Sequence, residues 1–259
     1  MDVFSIDLIG ELALFKKNDA NDIVHISYNF IHKPTVLGIL GAIVGYSGYA
    51  KSGENKMPEY YEKLKNIKVA ITPLDNKPLK KIITGFNNAS GMGSDFGTWQ
   101  VKEQILIGNP VIKYTIFIFN EETESTMLLR KYLKSYITEY PIYLGKNEFF
   151  AHYDNYEEYE ATPLQKGEYG IQSLVRKGEN DEIVKFKDFT FDDFDPFDIN
   201  TNSGNTIYEY LPYDFDENGF YKKDLFTFTE NKLLINNPES FYNLKNKSKR
   251  DRSFNVQFI

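Results

Sequence analysis

Alternating apolar and polar residues open the chain and predict a first β-strand. Residues 3–9 (VFSIDLI) alternate in this way, and a period of two places one face of a strand on the core. Residues 23–31 are rich in β-branched and aromatic side chains, which also favours extended structure. At Pro34 the pattern changes to an apolar run that predicts a buried helix, with glycines along one face at Gly38, Gly41 and Gly45.

Strands and helices continue to alternate through the first half of the chain. Pro58 predicts the start of a second helix over residues 57–65, and residues 124–139 carry the helical spacing of apolar positions. Further strands are predicted over residues 67–72, 80–84, 101–106, 113–119 and 141–149. The resulting order of strand, helix, strand, strand, helix, strand resembles the β-α-β-β-α-β pattern of ferredoxin-like domains, which RNA-recognition modules share.

The second half has shorter and more acidic segments, with strands predicted over residues 206–212 and 225–229. We therefore predict an α+β chain with two parts. A ferredoxin-like or RRM-like domain covers residues 1–150, and a β-rich C-terminal region covers residues 151–259. The Phe/Asp run at 189–198 is interpreted as a solvated acidic loop, and the basic run at 245–250 as a frayed tail.

The distribution of charge along the chain weakens the argument that the net charge makes against nucleic-acid binding. The net charge is -7, whereas nucleic-acid-binding domains are usually basic. Residues 1–150, however, carry 17 Lys+Arg against 16 Asp+Glu, and the remainder carries 13 against 21. The acidity therefore lies in the C-terminal part, and the N-terminal part can present a local basic face.

Several classes of chemistry lack the residues that they require. There is no cysteine, which excludes disulfides and thiolate chemistry, and no Walker motif for ATP. The histidines are too few and too dispersed for a zinc site, so we predict no metal and no cofactor. The start of the chain lacks a basic and then apolar targeting pattern, and we expect a cytoplasmic protein. The three histidines are His25, His32 and His152.

Four segments, taken in order, resemble the Cas-five family of CRISPR-associated proteins in the RAMP superfamily. The most specific is residues 31–45 (IHKPTVLGILGAIVG), which is similar to that family's P-x-x-T-x-x-G-L-L-G-A-I-L-G stretch. Residues 14–17 (LFKK), 103–114 (EQILIGNPVIKY) and 140–149 (YPIYLGKNEF) are similar to other blocks of the family. The matches are dense over residues 1–150 and thin afterwards, although Tyr210-Leu211-Pro212 is similar to a late element of the family.

This resemblance implies an RNA-binding subunit of a type I Cascade surveillance complex, most similar to type I-B, in antiviral defence. Such a subunit holds the 5′ handle of the CRISPR RNA (crRNA) within a ribonucleoprotein. It contacts the Cas-seven backbone subunit and the Cas-eight large subunit, and it meets target DNA through the complex. The family also implies a thumb, which we place at about residues 80–105, as an insertion in the RRM-like domain.

Twelve residues form the predicted RNA-binding set, and no residue is predicted to be catalytic. Lys33 and Thr35 lie where free helix N–H groups would bind phosphate, and lysines elsewhere would neutralise the RNA backbone. Side chains of the thumb would stack on bases or bond to their edges. The set is Lys16, Lys17, Lys33, Thr35, Tyr46, Lys81, Asn87, Asn88, Met92, Trp99, Gln100 and Lys146.

Each of these assignments has an alternative that the sequence leaves open. The glycines can serve helix packing alone, Lys16 and Lys17 can be solvated surface, and residues 85–100 can be an ordinary flexible loop. Two rival functions also remain. One is a metal-independent endoribonuclease that cuts precursor crRNA, for which His32, Lys33 and Tyr46 are the candidates. The other is a subunit that contacts only proteins.

Overall fold

Strands dominate the molecule. The computed structural model describes residues 1–19, 24–53, 57–74, 78–88, 99–178, 182–185, 206–249 and 251–259. The elements up to residue 149 are β1 Asp2–Ala13, β2 Val24–His25, α1 Lys33–Val44, a 3-10 turn Tyr49–Lys51, α2 Glu59–Leu64, β3 Val69–Pro73, β4 Lys80–Asn88, β5 Trp99–Phe119, α3 Glu124–Lys134 and β6 Ile142–Tyr143. The later elements are β7 Phe150–Pro163, β8 Gly167–Gly170, β9 Val175–Arg176, β10 Val184–Lys185, β11 Thr206–Phe215, β12 Tyr221–Thr229, β13 Lys232–Ile235, β14 Phe241–Asn246 and β15 Ser253–Gln257.

One mixed sheet forms the centre of the fold. Its strand order is β15-β14-β7-β1-β5-β2, and β3 and β4 also pair with β5. Four of its strands therefore follow the order β7-β1-β5-β3, all antiparallel. The helices α1 and α2 precede β3 in the chain, and α3 lies between β5 and β7. The largest apolar cluster joins this sheet to α1 and α3 through Phe4, Ile6, Leu8, Leu37, Leu40, Ile116, Leu129 and Leu133.

Two expected elements differ from the structure. The strands predicted at 101–106 and 113–119 are one strand, β5, which is interrupted only by a register shift opposite Gly10 and Leu12. A side chain at Gly108 would meet the backbone of Val111, so glycine is what permits this irregularity. Of the extended segment predicted at 23–31, only β2 pairs as a strand, because residues 26 and 28 bond instead to the backbone near Phe15.

The predicted helix at Pro34 is confirmed as α1, and its glycines serve close packing. A Cβ at Gly41 would lie 2.4 Å from the Cβ of Tyr60, and Gly38 faces the same ring at 3.8 Å. The two helices α1 and α2 can therefore approach closely only because Gly41 lacks a side chain, whereas a Cβ at Gly38 would make an ordinary contact. Gly45 ends the helix in the left-handed conformation, with φ of 86°, as is common for glycine at a helix C-terminus.

Residues beyond 150 complete the central sheet and add two smaller sheets. β7, β14 and β15 pair within the central sheet, so the division predicted at residue 150 falls at the start of one of its strands. The smaller sheets have the orders β10-β13-β8 and β11-β12-β9. In the described part of the chain, no helix is long and apolar enough to cross a membrane. The Phe/Asp run at 189–198 lies outside the described residues.

The expectation that residues 245–250 form a frayed tail is wrong for the residues described. Lys245 belongs to β14. The ammonium group of Lys247 lies 2.9 Å from Asp2, and that of Lys249 lies 2.6 Å from Glu157. These ion pairs hold the basic run on the central sheet. The run of basic residues in the sequence does not by itself indicate such ion pairs.

Candidate nucleic-acid interface

The N-terminus of α1 is the first part of the candidate site. His32 precedes the helix with extended backbone, its side chain makes no capping hydrogen bond, and the first turn contains no acidic residue. Pro34 occupies the first turn, where its missing N–H costs nothing. The positive end of the helix dipole is therefore not neutralised by a local carboxylate, which suits an anionic ligand.

Lys33, the first residue of α1, carries a half-buried ammonium group. Among the residues that the structure describes, no carboxylate lies within 4 Å of it and it donates no hydrogen bond. Burial lowers its pKa, and the more distant charges of Asp214 and Arg176 act in opposite directions. A desolvated cation without a partner is costly, so this position is suited to bind an anion.

Four more lysines approach the segment that leads into α1. Lys16 pairs through its backbone with Ser27, and Lys81 from β4 donates to the carbonyl oxygen of Ser27 at 3.4 Å. Burial lowers the pKa of Lys81. Within the described part of the chain, neither lysine has a carboxylate partner. We call Lys16, Lys17, Lys33, Lys81 and Lys223 the lysine group.

The other two members of the lysine group are neutralised by carboxylates. Lys17 lies 3.1 Å from the buried carboxylate of Glu209 and 4.9 Å from the ring centre of Tyr28. Lys223 lies 3.2 Å from Asp19 and 5.9 Å from the same ring. Their positive charge is therefore largely balanced within the protein, in contrast to that of Lys33 and Lys81.

His32 and Thr35 are structural neighbours at the start of α1. The His32 side chain is buried, and its ring contacts the rings of Tyr28 and Tyr221 at 5.4 Å. A ring nitrogen lies 3.2 Å from the hydroxyl of Thr35. Burial lowers the pKa of His32 to about 3. A neutral, enclosed imidazole does not fit the role of a general base that must reach an RNA hydroxyl.

Tyr46 lies beyond the other end of the helix. It follows the C-terminal Gly45, is half-buried and packs against the main apolar cluster. A helix of the length of α1 spans about 18 Å, so the structure does not bring Tyr46 to Lys33.

A two-stranded arm lies in the segment for which the thumb is predicted. It consists of β4 and of residues 99–107 of β5, paired from Lys80–Ile107 outward to Asn88–Trp99. Asn87 and Gln100 are exposed cross-strand partners on it. For Asn88 and Trp99 the structure describes the backbone only, and Met92 lies outside the described residues.

A buried carboxylate at the base of the arm gathers two further basic side chains. Glu103 of β5 accepts a hydrogen bond from Lys146 at 2.8 Å through one oxygen and contacts His25 Nδ1 at 3.0 Å through the other. The Lys146 ammonium also lies 5.3 Å from the ring centre of Phe86 on the arm. We call His25, Glu103 and Lys146 the Glu103 group. The prediction included Lys146 but missed His25 and the role of Glu103.

The lysine group and the Glu103 group are adjacent. His25 and Ser27 are two residues apart, a distance of about 7 Å in extended backbone. Thr84, which pairs with Glu103, is three residues from Lys81 on β4. The lysines that surround Ser27 and Tyr28 therefore lie next to the base of the arm; they are Lys16, Lys17, Lys81 and Lys223. Lys33 stands at the start of α1, where the charges that act on it are those of Asp214, Arg176, Glu121 and Lys68.

Comparisons with known proteins give a likeness in structure but not in sequence. No family model matches the chain, and no curated protein does. A CRISPR protein from Archaeoglobus fulgidus is 11% identical with 99% of each chain covered and a TM-score of 0.48. A chain of a CRISPR RNA-guided surveillance complex is 11% identical, with 90% of this chain and 91% of that chain covered and a TM-score of 0.48.

A third structure, Type III-B Cmr-beta bound to cognate target RNA and AMPPnP, contains a chain that is 14% identical. It covers 90% of this chain and 86% of that chain, with a TM-score of 0.49. Likenesses at this level of identity and TM-score do not establish a function.

Proposed function

We propose that this chain is a Cas-five-like, RNA-binding subunit of a type I CRISPR Cascade complex, of subtype I-B, and that it holds the 5′ handle of crRNA. The proposal starts from the resemblance of residues 1–150 to that family. It is supported by the strand order β7-β1-β5-β3, which is the order that a ferredoxin-like β-α-β-β-α-β domain requires, and by an arm at the position of the family's thumb.

The unpaired lysines at the start of α1 are the observation that carries the proposal. Burial lowers the pKa of both Lys33 and Lys81. The charges of Asp214, which acts on Lys33, and of Glu209, which acts on Lys81, oppose this effect but do not outweigh it. RNA phosphates would supply the missing negative charge, and the free N–H groups of the first helical turn would add hydrogen bonds. In this arrangement the protein positions the RNA backbone, while base pairing of the guide supplies sequence specificity.

The remaining surfaces have complementary roles in this proposal. The arm separates the handle from the spacer, and the acidic C-terminal part contacts the Cas-seven backbone and the Cas-eight large subunit. Target DNA is met only through the assembled complex, which acts in the cytoplasm. The chain itself is a non-catalytic scaffold.

Guide loading tests this proposal in the assembled complex. The chain is co-expressed with its complex partners and a CRISPR repeat RNA, and the RNA that co-purifies with it is quantified. We expect Lys33→Glu combined with Lys81→Glu to abolish loading without loss of soluble protein. A crosslink from the arm, at Asn87 or Gln100, to the handle is also expected.

Two results would contradict the proposal. Loading that is unchanged in the double variant would remove the lysines from the RNA site. An absence of any crosslink from the arm or from α1 to RNA in an intact complex would favour a subunit that contacts only proteins.

The endoribonuclease remains a second candidate because of His25 rather than His32. The burial of His32 argues against it as a general base, whereas His25 is partly exposed and is oriented by Glu103. Purified protein is incubated with a repeat RNA hairpin in EDTA. Specific cleavage that is lost in His25→Ala would establish the enzyme, and intact RNA supports the scaffold.

A further inference from the structure

Glu103 connects three separate segments at the base of the arm. It lies on β5, His25 lies on β2, and Lys146 lies in the turn between β6 and β7. The side chain of Glu103 is only 4% exposed, whereas those of His25 and Lys146 are 20% and 25% exposed. The carboxylate is therefore internal, and the two basic groups that it holds extend from it toward the surface.

The ionisation of Glu103 determines how the His25 ring is oriented. Burial raises the pKa of Glu103, but hydrogen bonds from Lys146 and His25 outweigh this effect, so that the pKa lies below its ordinary value. An ionised carboxylate only accepts hydrogen bonds, so Nδ1 of His25 carries the proton. In the neutral ring, Nε2 is then an acceptor. Among the described residues, Nε2 has no hydrogen-bond partner.

Lys146 is fixed beside the imidazole by the same carboxylate. Its ammonium group uses one of three donors on Glu103 and lies near the faces of Phe86 and Phe149, at 5.3 and 5.7 Å. The ring of Phe86 is exposed on the arm, where an unpaired base could stack on it. Glu148, an exposed carboxylate 4.0 Å from the ammonium group, is the one nearby group that competes for it in the described part of the chain.

We propose that His25 and Lys146 form a ribonucleotide subsite, in which His25 Nε2 accepts a hydrogen bond from a ribose 2′-hydroxyl and Lys146 binds the adjoining phosphate. Nδ1 of His25 and Nζ of Lys146 bind the two oxygens of one carboxylate. Nε2 lies across the same imidazole ring from Nδ1, so it is also within several ångströms of Nζ, which is the scale of the separation between a 2′-hydroxyl and its neighbouring phosphate. The 2′-hydroxyl distinguishes RNA from DNA at a given position. This subsite therefore selects RNA. It rests on the proposed RNA-binding function and adds to it the chemical feature that is recognised.

Binding of matched RNA and DNA strands tests the subsite. A fluorescent single-stranded RNA and the DNA of the same sequence, with deoxyuridine in place of uridine, are titrated with the full-length protein. We expect the wild type to bind RNA more tightly. In His25→Ala we expect RNA affinity to fall by about tenfold and DNA affinity to stay unchanged. In Lys146→Gln we expect both affinities to fall, because a phosphate contact is common to both strands.

Glu148→Gln is the matched control. It removes a carboxylate from the same surface without touching His25, and we expect both affinities to rise together with the ratio of RNA to DNA affinity unchanged. Glu103→Gln, by contrast, should lower that ratio, since the imidazole loses the ionised acceptor that orients it. Thermal unfolding of each variant identifies any loss of fold, and the affinity ratio is a quantity that loss of folded protein alone does not change.

The outcomes separate this inference from the function on which it rests. Wild-type protein that binds neither strand would overturn both. Wild-type protein that binds RNA and DNA equally would overturn the subsite alone. The same holds if His25→Ala lowers both affinities by the same factor.

Discussion

Two sets of lysines in this molecule have opposite relations to the carboxylates around them. In the lysine group, Lys33 and Lys81 are half-buried and have no carboxylate partner among the described residues. Near the C-terminus, Lys247 and Lys249 each lie within 3 Å of a carboxylate on the central sheet. The first pair has no ion-pair partner among the described residues, and the second pair is already neutralised.

The contrast indicates that local charge balance, rather than the density of basic residues, distinguishes the lysines that we propose to bind RNA. The densest basic run in the sequence is at 245–250, yet its described lysines include two that serve the protein's own ion pairs. Lys33 stands between His32 and Pro34, and no other lysine or arginine lies between residues 18 and 50. Its importance follows from burial and from the absence of a described partner.

The largest expected difference between the two pairs of lysines is in RNA binding, measured after each pair is neutralised in turn. We expect Lys33→Gln with Lys81→Gln to weaken binding of handle RNA by about 100-fold at low salt, since two phosphate contacts are lost. The slope of log affinity against log salt should fall by about 1.4, at about 0.7 per contact on single-stranded RNA. Fluorescence anisotropy at several salt concentrations measures both quantities.

The control for this experiment is Lys247→Gln with Lys249→Gln. It removes the same charge from the chain, and we expect its salt slope to equal that of the wild type. Equal losses of RNA affinity in the two double variants would contradict the contrast between the two pairs, because the overall charge of the chain would then account for binding.

A smaller effect is expected on the free energy of unfolding, which should rise in a variant whose RNA affinity falls. Lys33→Met removes a cation that burial disfavours, so we expect the free energy of unfolding to rise by about 0.5–1 kcal/mol at neutral pH while RNA binding weakens. The lowered pKa means that the folded state binds fewer protons than the unfolded state between the folded pKa and the ordinary value. Wild-type stability should therefore rise as pH increases through that interval, and the variant should lack this rise.

Urea unfolding at neutral pH and near the ordinary lysine pKa of about 10.4 measures this difference. Lys16→Met is the matched control, because Lys16 is exposed, and we expect it to leave the pH dependence of stability unchanged. A loss of stability at neutral pH in Lys33→Met would show that contacts within the protein stabilise the Lys33 cation, and that this cation does not need a bound anion.

The parts of the fold that depend on local sequence could be predicted. α1 begins at Lys33 and ends at Gly45 because proline suits a first helical turn and glycine suits a left-handed end. The alternation in residues 3–9 likewise gives β1. The unbroken length of β5 could not be predicted, since the irregularity near Gly108 resembles a break between two strands in sequence.

The candidate site could be predicted only in part. Its individual lysines are visible in the sequence, but their pairing is not. His25 and Glu103 are separated by 78 positions, and Lys146 and Glu103 by 43. Nothing in the sequence around Lys17 indicates that β11 brings the carboxylate of Glu209 to it. Such contacts depend on strand pairing, which no local pattern specifies.

The smallest expected effect concerns the C-terminal pair. Hydrogen bonds from Lys249 and Tyr159 outweigh the effect of burial and hold the pKa of Glu157 below its ordinary value. Glu157 therefore contributes stability above its unfolded pKa, and this contribution is lost as pH falls through the folded pKa. Because the Lys249 side chain is half exposed, we expect Lys249→Met to cost only about 0.5 kcal/mol at neutral pH, and nothing at a pH where Glu157 is protonated.

Urea unfolding at both pH values tests this, with Lys245→Met as a control from the same basic run. If Lys249→Met weakened RNA binding and left stability unchanged, this lysine would belong with Lys33, and the contrast between the two sets would not hold.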